Sequence, residues 1–271
     1  MSISNKRLTE VTTTYYLHDQ DGKSVELSRS EGEKDLGVMV DDKVNFDKHI
    51  QQQVNKANSI MGLIRRTYTF LDETSFRYLF QALVRPHLEY AEAVWSPFTK
   101  KDIDTIEKVQ KRATKLIPSL KNMDYPNRLK KLKMPTLQYR RLRGDMIEVY
   151  KIINGIYDHK VVTGFFELSD VEQTRGHNKK LRKLSCKINK RKNYFSNRVI
   201  DVWNNLPQEA VSAKSVKDFE IAIDKHWENQ EMKYNHNANI ELKTGRKRSY
   251  TTIQRDDDKI EADKVVDDQR P

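Results

Sequence analysis

With 271 residues, 37% of them hydrophobic and 33% charged, the chain is long enough for one large or two small folded units and polar enough that part of it is expected to stay unfolded. Fifty Lys and Arg against 39 Asp and Glu leave a net charge of +11, which points to nucleic acid or an anionic membrane surface. A lone cysteine, Cys186, excludes an internal disulfide or a Cys-rich zinc knuckle; without a long apolar run or leader, the expected location is intracellular, nucleus or cytoplasm, and not secreted.

In chain order, Thr12–Leu17 and Ser24–Leu27 read as short strands around Asp19-Gln20-Asp21-Gly22, a hairpin signal. Lys34-Asp35-Leu36-Gly37-Val38-Met39-Val40 has the pattern of a buried strand. From Asn45 the period becomes helical, with Phe46, Ile50, Val54, Ala57, Met61 and Ile64 on one stripe and Asn45 or Asp47 as the cap. Asp72 opens a second helix that Pro86 ends or kinks, with Leu88–Trp95 helical beyond it. Thr99 and Asp102 start a third, whose stripe is Ile103, Ile106, Val109, Ala113 and Leu116. A short basic helix spans Asn127–Lys133. Pro135-Thr136 then opens a long helix closed by Gly155, with Leu137, Met146, Ile147, Tyr150 and Ile153 facing inward.

No helical period survives from Gly176 to Lys190, which reads as loop or short strands. Phe195, Val199, Val202 and Leu206 mark a helix ended by Pro207, and Ser215 with Asp218 starts another that ends near His226-Trp227. The domain reading is a β segment over 1–44, a basic helical domain over 45–157, a basic loop with helices over 158–230, and a disordered tail over 231–271. The fold class expected is mainly α.

The positive charge is concentrated. Between Lys100 and Arg143 stand fourteen Lys/Arg against four Asp/Glu, and between Glu172 and Arg198 ten against one, denser than solvated helix faces require. Lys108, Lys111, Arg112 and Lys115 fall off the apolar stripe of their helix, so one face can be core while another carries charge. Arg140, Arg141 and Arg143 sit in the first half of the long helix, where the dipole disfavours cations and a bound phosphate would relieve the cost. Tyr139 beside them would stack on a ribose or an unpaired base, or simply cover the edge of the core. Lys179, Lys180, Arg182 and Lys183 form a second basic group, in the segment opened by Thr174-Arg175-Gly176-His177.

Catalytic signals are sparse. Asp41-Asp42 after a strand resembles a two-metal carboxylate pair, but too little chain precedes it to cover a nucleotide, and a turn after a strand is the better reading. Asp256-Asp257-Asp258 lies in the polar tail. The seven histidines have no zinc spacing, and there is no Gly-rich phosphate loop, so neither metal nor other cofactor is expected.

Several segments together resemble the C-terminal part of reverse transcriptases from non-LTR retrotransposons of the jockey and chicken-repeat type. They are Lys34–Val38, Leu83–Tyr90, Val94–Pro97, Glu107–Arg112, Arg140–Asp145, Thr174–His177 and Val202–Pro207. The resemblance implies a last palm strand at Lys34–Val38 followed by thumb-like helices, with the catalytic Tyr/Phe-x-Asp-Asp hairpin upstream of Met1. The chain would then be a non-catalytic part of an RNA-directed DNA polymerase, gripping template-primer backbone with Lys and Arg. Expected partners are RNA or DNA backbone, including an RNA–DNA hybrid, and a reverse transcriptase core, with no membrane. Two other readings stay open: a helical interaction module presenting His87, Glu89, Tyr90 and Trp95 to a polymerase core, and a mobile-element remnant without function.

Overall fold

The computed structural model describes residues 14–28, 30–169, 176–186 and 189–242, and within them the chain is mainly helical. Two antiparallel hairpins come first. Strands β1 (Tyr15–His18) and β2 (Ser24–Leu27) meet across the expected turn, where Asp19 Oδ1 accepts the Lys23 N–H at 2.8 Å and Gly22 takes φ +77°. The second hairpin corrects the single buried strand expected at Lys34–Val40. Leu36 and Gly37, both at positive φ, form a two-residue turn between β3 (Gly32–Asp35) and β4 (Val38–Asp41). Leu36 is therefore 85% exposed, while Val38 is buried in the helical core. Asp41 Oδ1 accepts the backbone N–H groups of Lys43 and Asn45 at 3.1 and 2.6 Å, so the Asp41-Asp42 pair organises a turn.

Helix α1 (Asp47–Thr67) buries Ile50, Val54, Ala57, Met61 and Ile64 as its period requires. Phe46, rather than Asn45 or Asp47, occupies the N-cap position, without a side-chain bond. Asp72 caps α2 (Glu73–Leu79) by accepting from Thr74 and Ser75. Pro86 ends nothing immediately. The turn before it widens into a π-helix at Phe80–Val84, which absorbs the carbonyl the ring would strike, and α3 (Arg85–Glu89) continues through the proline. The break falls at Ala91, φ +53°, before α4 (Glu92–Trp95).

Thr99 caps α5 (Lys100–Ala113), and two 3-10 turns, Thr114–Leu116 and Pro118–Leu120, lead to α6 (Tyr125–Leu132). Thr136 caps α7 (Leu137–Ile153), and Gly155 follows at φ +68°. The short helices α8 (His159–Val162), α9 (Asn189–Asn193), α10 (Phe195–Arg198), α11 (Ile200–Trp203) and α12 (Gln208–Val211) precede α13 (Val216–His226), capped by Ser215. The single helix expected over Phe195–Leu206 is thus two short ones.

Two apolar clusters divide the interior. One gathers α1–α6 with Val38; the other gathers α7, α10–α13 and Leu181. Helix α7 lies between them: Leu137 belongs to the first cluster, whereas Tyr139, Met146, Val149 and Tyr150 belong to the second. The disordered tail expected from 231 does not begin there. A 3-10 turn at Glu231–Lys233 buries Met232, and Ile240 is also buried, while the Met232 carbonyl accepts the Thr136 hydroxyl at 2.8 Å. Asp256-Asp257-Asp258, Thr174 and Arg175 lie outside the described residues.

Candidate nucleic-acid interface

Helix α5 is held in one rotation by two buried polar side chains. Glu107 accepts the Tyr125 hydroxyl at 2.5 Å and the Leu137 N–H at 3.0 Å, and Gln110 donates to the Pro135 carbonyl at 3.0 Å. With positions 106, 107, 109, 110 and 113 facing inward, Lys108, Lys111, Arg112 and Lys115 are turned to solvent. Spacings of three and four residues set Lys108, Lys111 and Arg112 on one face of α5, and Lys115 follows, exposed, in the 3-10 turn. None has an ion-pair partner among the described residues, and the same holds for exposed Lys121, Lys130 and Lys133 next in the chain. The end of α5 is a favourable place for cations, since the helix dipole is negative there.

Arg128, in the same basic stretch, does a different job. It is fully buried, donating from Nε to Thr114 Oγ1 at 3.0 Å and from Nη2 to the Lys111 carbonyl at 3.1 Å, which closes the C-terminus of α5 against α6. Lys131 pairs with Glu73 of α2 at 3.0 Å.

The arginines of α7, expected on the surface, are engaged by the protein itself: Arg141 is buried, and Arg140 and Arg143 are half-buried in ion pairs. Arg140 forms a two-pronged pair with Glu89, its Nη2 reaching Oε2 at 3.0 Å. Arg143 forks onto Asp224 of α13 at 2.6 and 2.9 Å and reaches Glu220 at 3.4 Å. Arg141 is 3% exposed and its two terminal nitrogens make no hydrogen bond among the described residues; burial lowers its pKa, against the pull of Glu107 and Glu92. Tyr139 is equally buried, edge-on to Trp227 at 5.9 Å, and burial pushes its phenol up to about 12. Cations in the first turns of α7 are thus offset by carboxylates from α3 and α13. The partners of Arg140 and Arg143 stand 51 and 81 residues away, beyond any local sequence signal.

More buried charge flanks these residues. Asp145 pairs with Arg198 at 2.8 Å, and Arg198 also donates to the Ala93 carbonyl. Glu92 is packed over Gly144, and burial, then repulsion from Glu89, raises its pKa to about 8. Arg141, Asp145 and Arg198 line one wall of a cavity of about 660 Å³ that also touches Phe98 and Ile240.

The second basic group is largely engaged. Lys183 pairs with Asp201, Arg182 with Glu167 at 3.2 Å, and Lys179 donates to Asn154 at 2.6 Å, while Lys180 folds its side chain over Gly176.

Several segments behind the family resemblance turn out to be scaffold. Trp203 donates to the Lys179 carbonyl and Asn204 brackets Leu181, accepting its N–H and donating to its carbonyl, each at 2.8 Å. His177 is buried; its Nδ1 accepts the Lys179 N–H, which leaves Nε2 to donate to the Trp203 carbonyl at 2.9 Å in the neutral ring. Trp95, expected on a contact surface with His87, Glu89 and Tyr90, is buried and donates to the Tyr90 carbonyl, and the Tyr90 hydroxyl donates to the Leu36 carbonyl.

No group of His, Cys, Asp and Glu able to hold a metal occurs among the described residues, and none of the described helices is long and apolar enough to cross a membrane. No protein-family model matches the chain, and no solved structure matches it. The chain is similar to an uncharacterized protein of Caenorhabditis elegans, at 28% identity over 126 residues, which is 45% of this chain and 64% of that protein. It therefore spans less than two thirds of that relative's length.

Proposed function

We propose that the exposed face of α5, continued by the lysines of the α5–α6 segment, holds the sugar-phosphate backbone of nucleic acid, and that the chain does so without catalysing a reaction. The observation that carries this reading is the unpaired row Lys108, Lys111, Arg112 and Lys115, pointed outward by Glu107 and Gln110. Along the helix the row spans about 10 Å at roughly 1.5 Å per residue. That length of duplex axis carries roughly six phosphates. Contacts to backbone need no base readout, in keeping with a row made only of Lys and Arg. The resemblance to the thumb side of non-LTR retrotransposon reverse transcriptases agrees with this role, and a template-primer duplex is the ligand it implies. Arg140, Arg141, Arg143 and Tyr139, engaged internally, have no part in the reading.

Fluorescence anisotropy against a labelled duplex tests it. With four to seven phosphates engaged, affinity should fall roughly 10²–10⁴-fold between 50 and 200 mM salt. Charge reversal at Lys111, Arg112 and Lys115 should weaken binding uniformly across sequences and flatten the salt slope by about 1 per residue. A salt-independent affinity, or an unchanged slope in the variant, would refute the assignment.

A second reading has its own support. The β1–β2 hairpin sets Tyr15, Leu17, Val25 and Leu27 on one face, all exposed, and isolated two-stranded hairpins are marginal in water. We read this face as a protein contact, with a polymerase core as the partner the resemblance implies. Co-sedimentation with such a core, lost on Leu17→Glu, is the expected result.

A further inference from the structure

The end of α1, the α1–α2 turn and α2 display exposed aromatic and guanidinium groups within fourteen residues of one another along the chain. Phe70 is 77% exposed, Tyr78 61% and Tyr68 45%, although single exposed aromatics are usually scattered. Arg65 and Arg66 occupy the last turn of α1, and the Arg77 guanidinium lies 5.5 Å from the centroid of the Tyr78 ring. None of these three arginines has an ion-pair partner among the described residues.

A clamped backbone enforces this exposure. The Tyr68 N–H stays on the Ile64 carbonyl at 3.0 Å, Leu71 is buried in the helical core, and Asp72 accepts from Thr74 and Ser75 at 2.8 and 2.9 Å. Phe70 stands between these anchors, with its ring 77% exposed. The nearby carboxylates are already used: Asp72 caps α2, and Glu73 faces Lys131 at 3.0 Å and Ser119 at 3.3 Å.

Those Glu73 contacts also tie α2 to the segment that follows the cation row. Helix α2 leans on α6 through Glu73 and Lys131, and α6 closes the end of α5 through Arg128 and the Lys111 carbonyl.

We propose that the α1–α2 turn is a stacking site for single-stranded nucleic acid, in which Phe70 and Tyr78 receive bases while Arg65, Arg66 and Arg77 hold the adjoining phosphates. It rests on the backbone-binding role of α5 for its class of ligand and adds a site and a strandedness to it. Flat aromatic faces accept any base, and arginines alongside them supply phosphate contacts and cation–π attraction, the combination by which unpaired strands are held without sequence readout. An apolar protein partner would instead find three uncompensated guanidinium groups at the centre of its contact, and charge is depleted from the cores of such interfaces.

The test compares the full chain with Phe70→Ala/Tyr78→Ala and with the α5 charge-reversal variant. Each is titrated against a labelled oligouridine of about 15 nucleotides and against a duplex of that length. Both aromatics are solvent-facing, and an unchanged unfolding temperature verifies folding. The double variant should bind the single strand about tenfold or more weakly, and the duplex with less than about twofold change. Restoring a ring with Phe70→Trp should recover single-strand affinity.

An equal effect on both ligands, or none on the single strand, overturns the stacking site and leaves the α5 assignment standing. Duplex binding that survives charge reversal of α5, with single-strand binding still lost in the aromatic variant, overturns the α5 assignment instead. A wild-type chain that binds neither ligand overturns both.

Discussion

Asp145 and Arg198 show how a charged pair earns a place in the interior. The two are nearly buried, joined at 2.8 and 3.1 Å, and Arg198 also serves the Ala93 carbonyl, so α7, α10 and α4 meet on one guanidinium. Asp145→Ala leaves Arg198 without its carboxylate and should lower unfolding free energy by about 3 kcal/mol in urea titration. Arg141→Met should lower it by less than Asp145→Ala does, because the terminal nitrogens of Arg141 make no hydrogen bond and its tie to Glu107 and Asp145 is through charge alone.

Glu92 has the opposite character. Its folded pKa of about 8 stands above the ordinary 4.5, so the folded state holds its proton where the unfolded state has lost it. Its contribution is fully present below the unfolded value and is lost as pH rises toward 8, a fall of a few kcal/mol. Burial raises it first, then the charges of Glu89 of α3 and Asp145 of α7, while Arg141 and Arg140 of α7 pull the other way. In urea unfolding between pH 5 and pH 9, Glu92→Gln should flatten the decline, and an equally steep decline in the variant would count against the assignment.

Among the elements, α7 is the one whose surroundings differ most from its appearance. It packs against α4, α5, α11 and α13, so its polar positions find carboxylates where an ordinary surface helix has water. Gly144 lets α4 approach: a methyl group there would stand 2.3 Å from Glu92 Oε1. Alanine is intrinsically better than glycine in a helix by roughly 1 kcal/mol. Gly144→Ala forces the end of the Glu92 side chain to move, so it should gain less stability in the wild-type chain than in a Glu92→Ala background where the obstruction is gone; a double-mutant cycle measures the coupling. Helix α5 shows the complementary case, since its inward side is fixed by Glu107 and Gln110 and its outward side is left to the cations.

For the whole molecule, the two apolar clusters are joined through α7 and by the 231–242 segment, which crosses back to the start of α7. The Thr136 N–H donates to the Lys233 carbonyl at 2.9 Å and its hydroxyl to the Met232 carbonyl at 2.8 Å, while His236 approaches Asp104 of α5 at 3.4 Å. Low apolar content made this segment look like tail, yet Met232 and Ile240 are buried in the second cluster. Met232→Ala/Ile240→Ala should lower the unfolding temperature, with each truncation costing about 2–5 kcal/mol if the sites are packed as their burial indicates. An unchanged temperature would show that the segment lies loosely on the surface.

Periodicity was enough to recognise the longer helices, because an apolar stripe at Ile50, Val54, Ala57, Met61 and Ile64 has few ways to be buried other than as one helical face, whereas the four- and five-residue helices α8, α9 and α12 are too short to carry a period. Caps at Asp72, Thr99, Thr136 and Ser215 were equally readable, since each bond is made within a few residues. The outward row on α5 followed from the same local pattern. What composition could not reveal was the fate of the other cations, which depends on partners far along the chain. Glu89 meets Arg140 and Asp224 meets Arg143 only after α3, α7 and α13 have packed, and Arg141 and Tyr139 are enclosed by the same event. Charge density along the chain measures how many cations there are; long-range Coulomb pairing and burial settle which of them remain available to a polyanion.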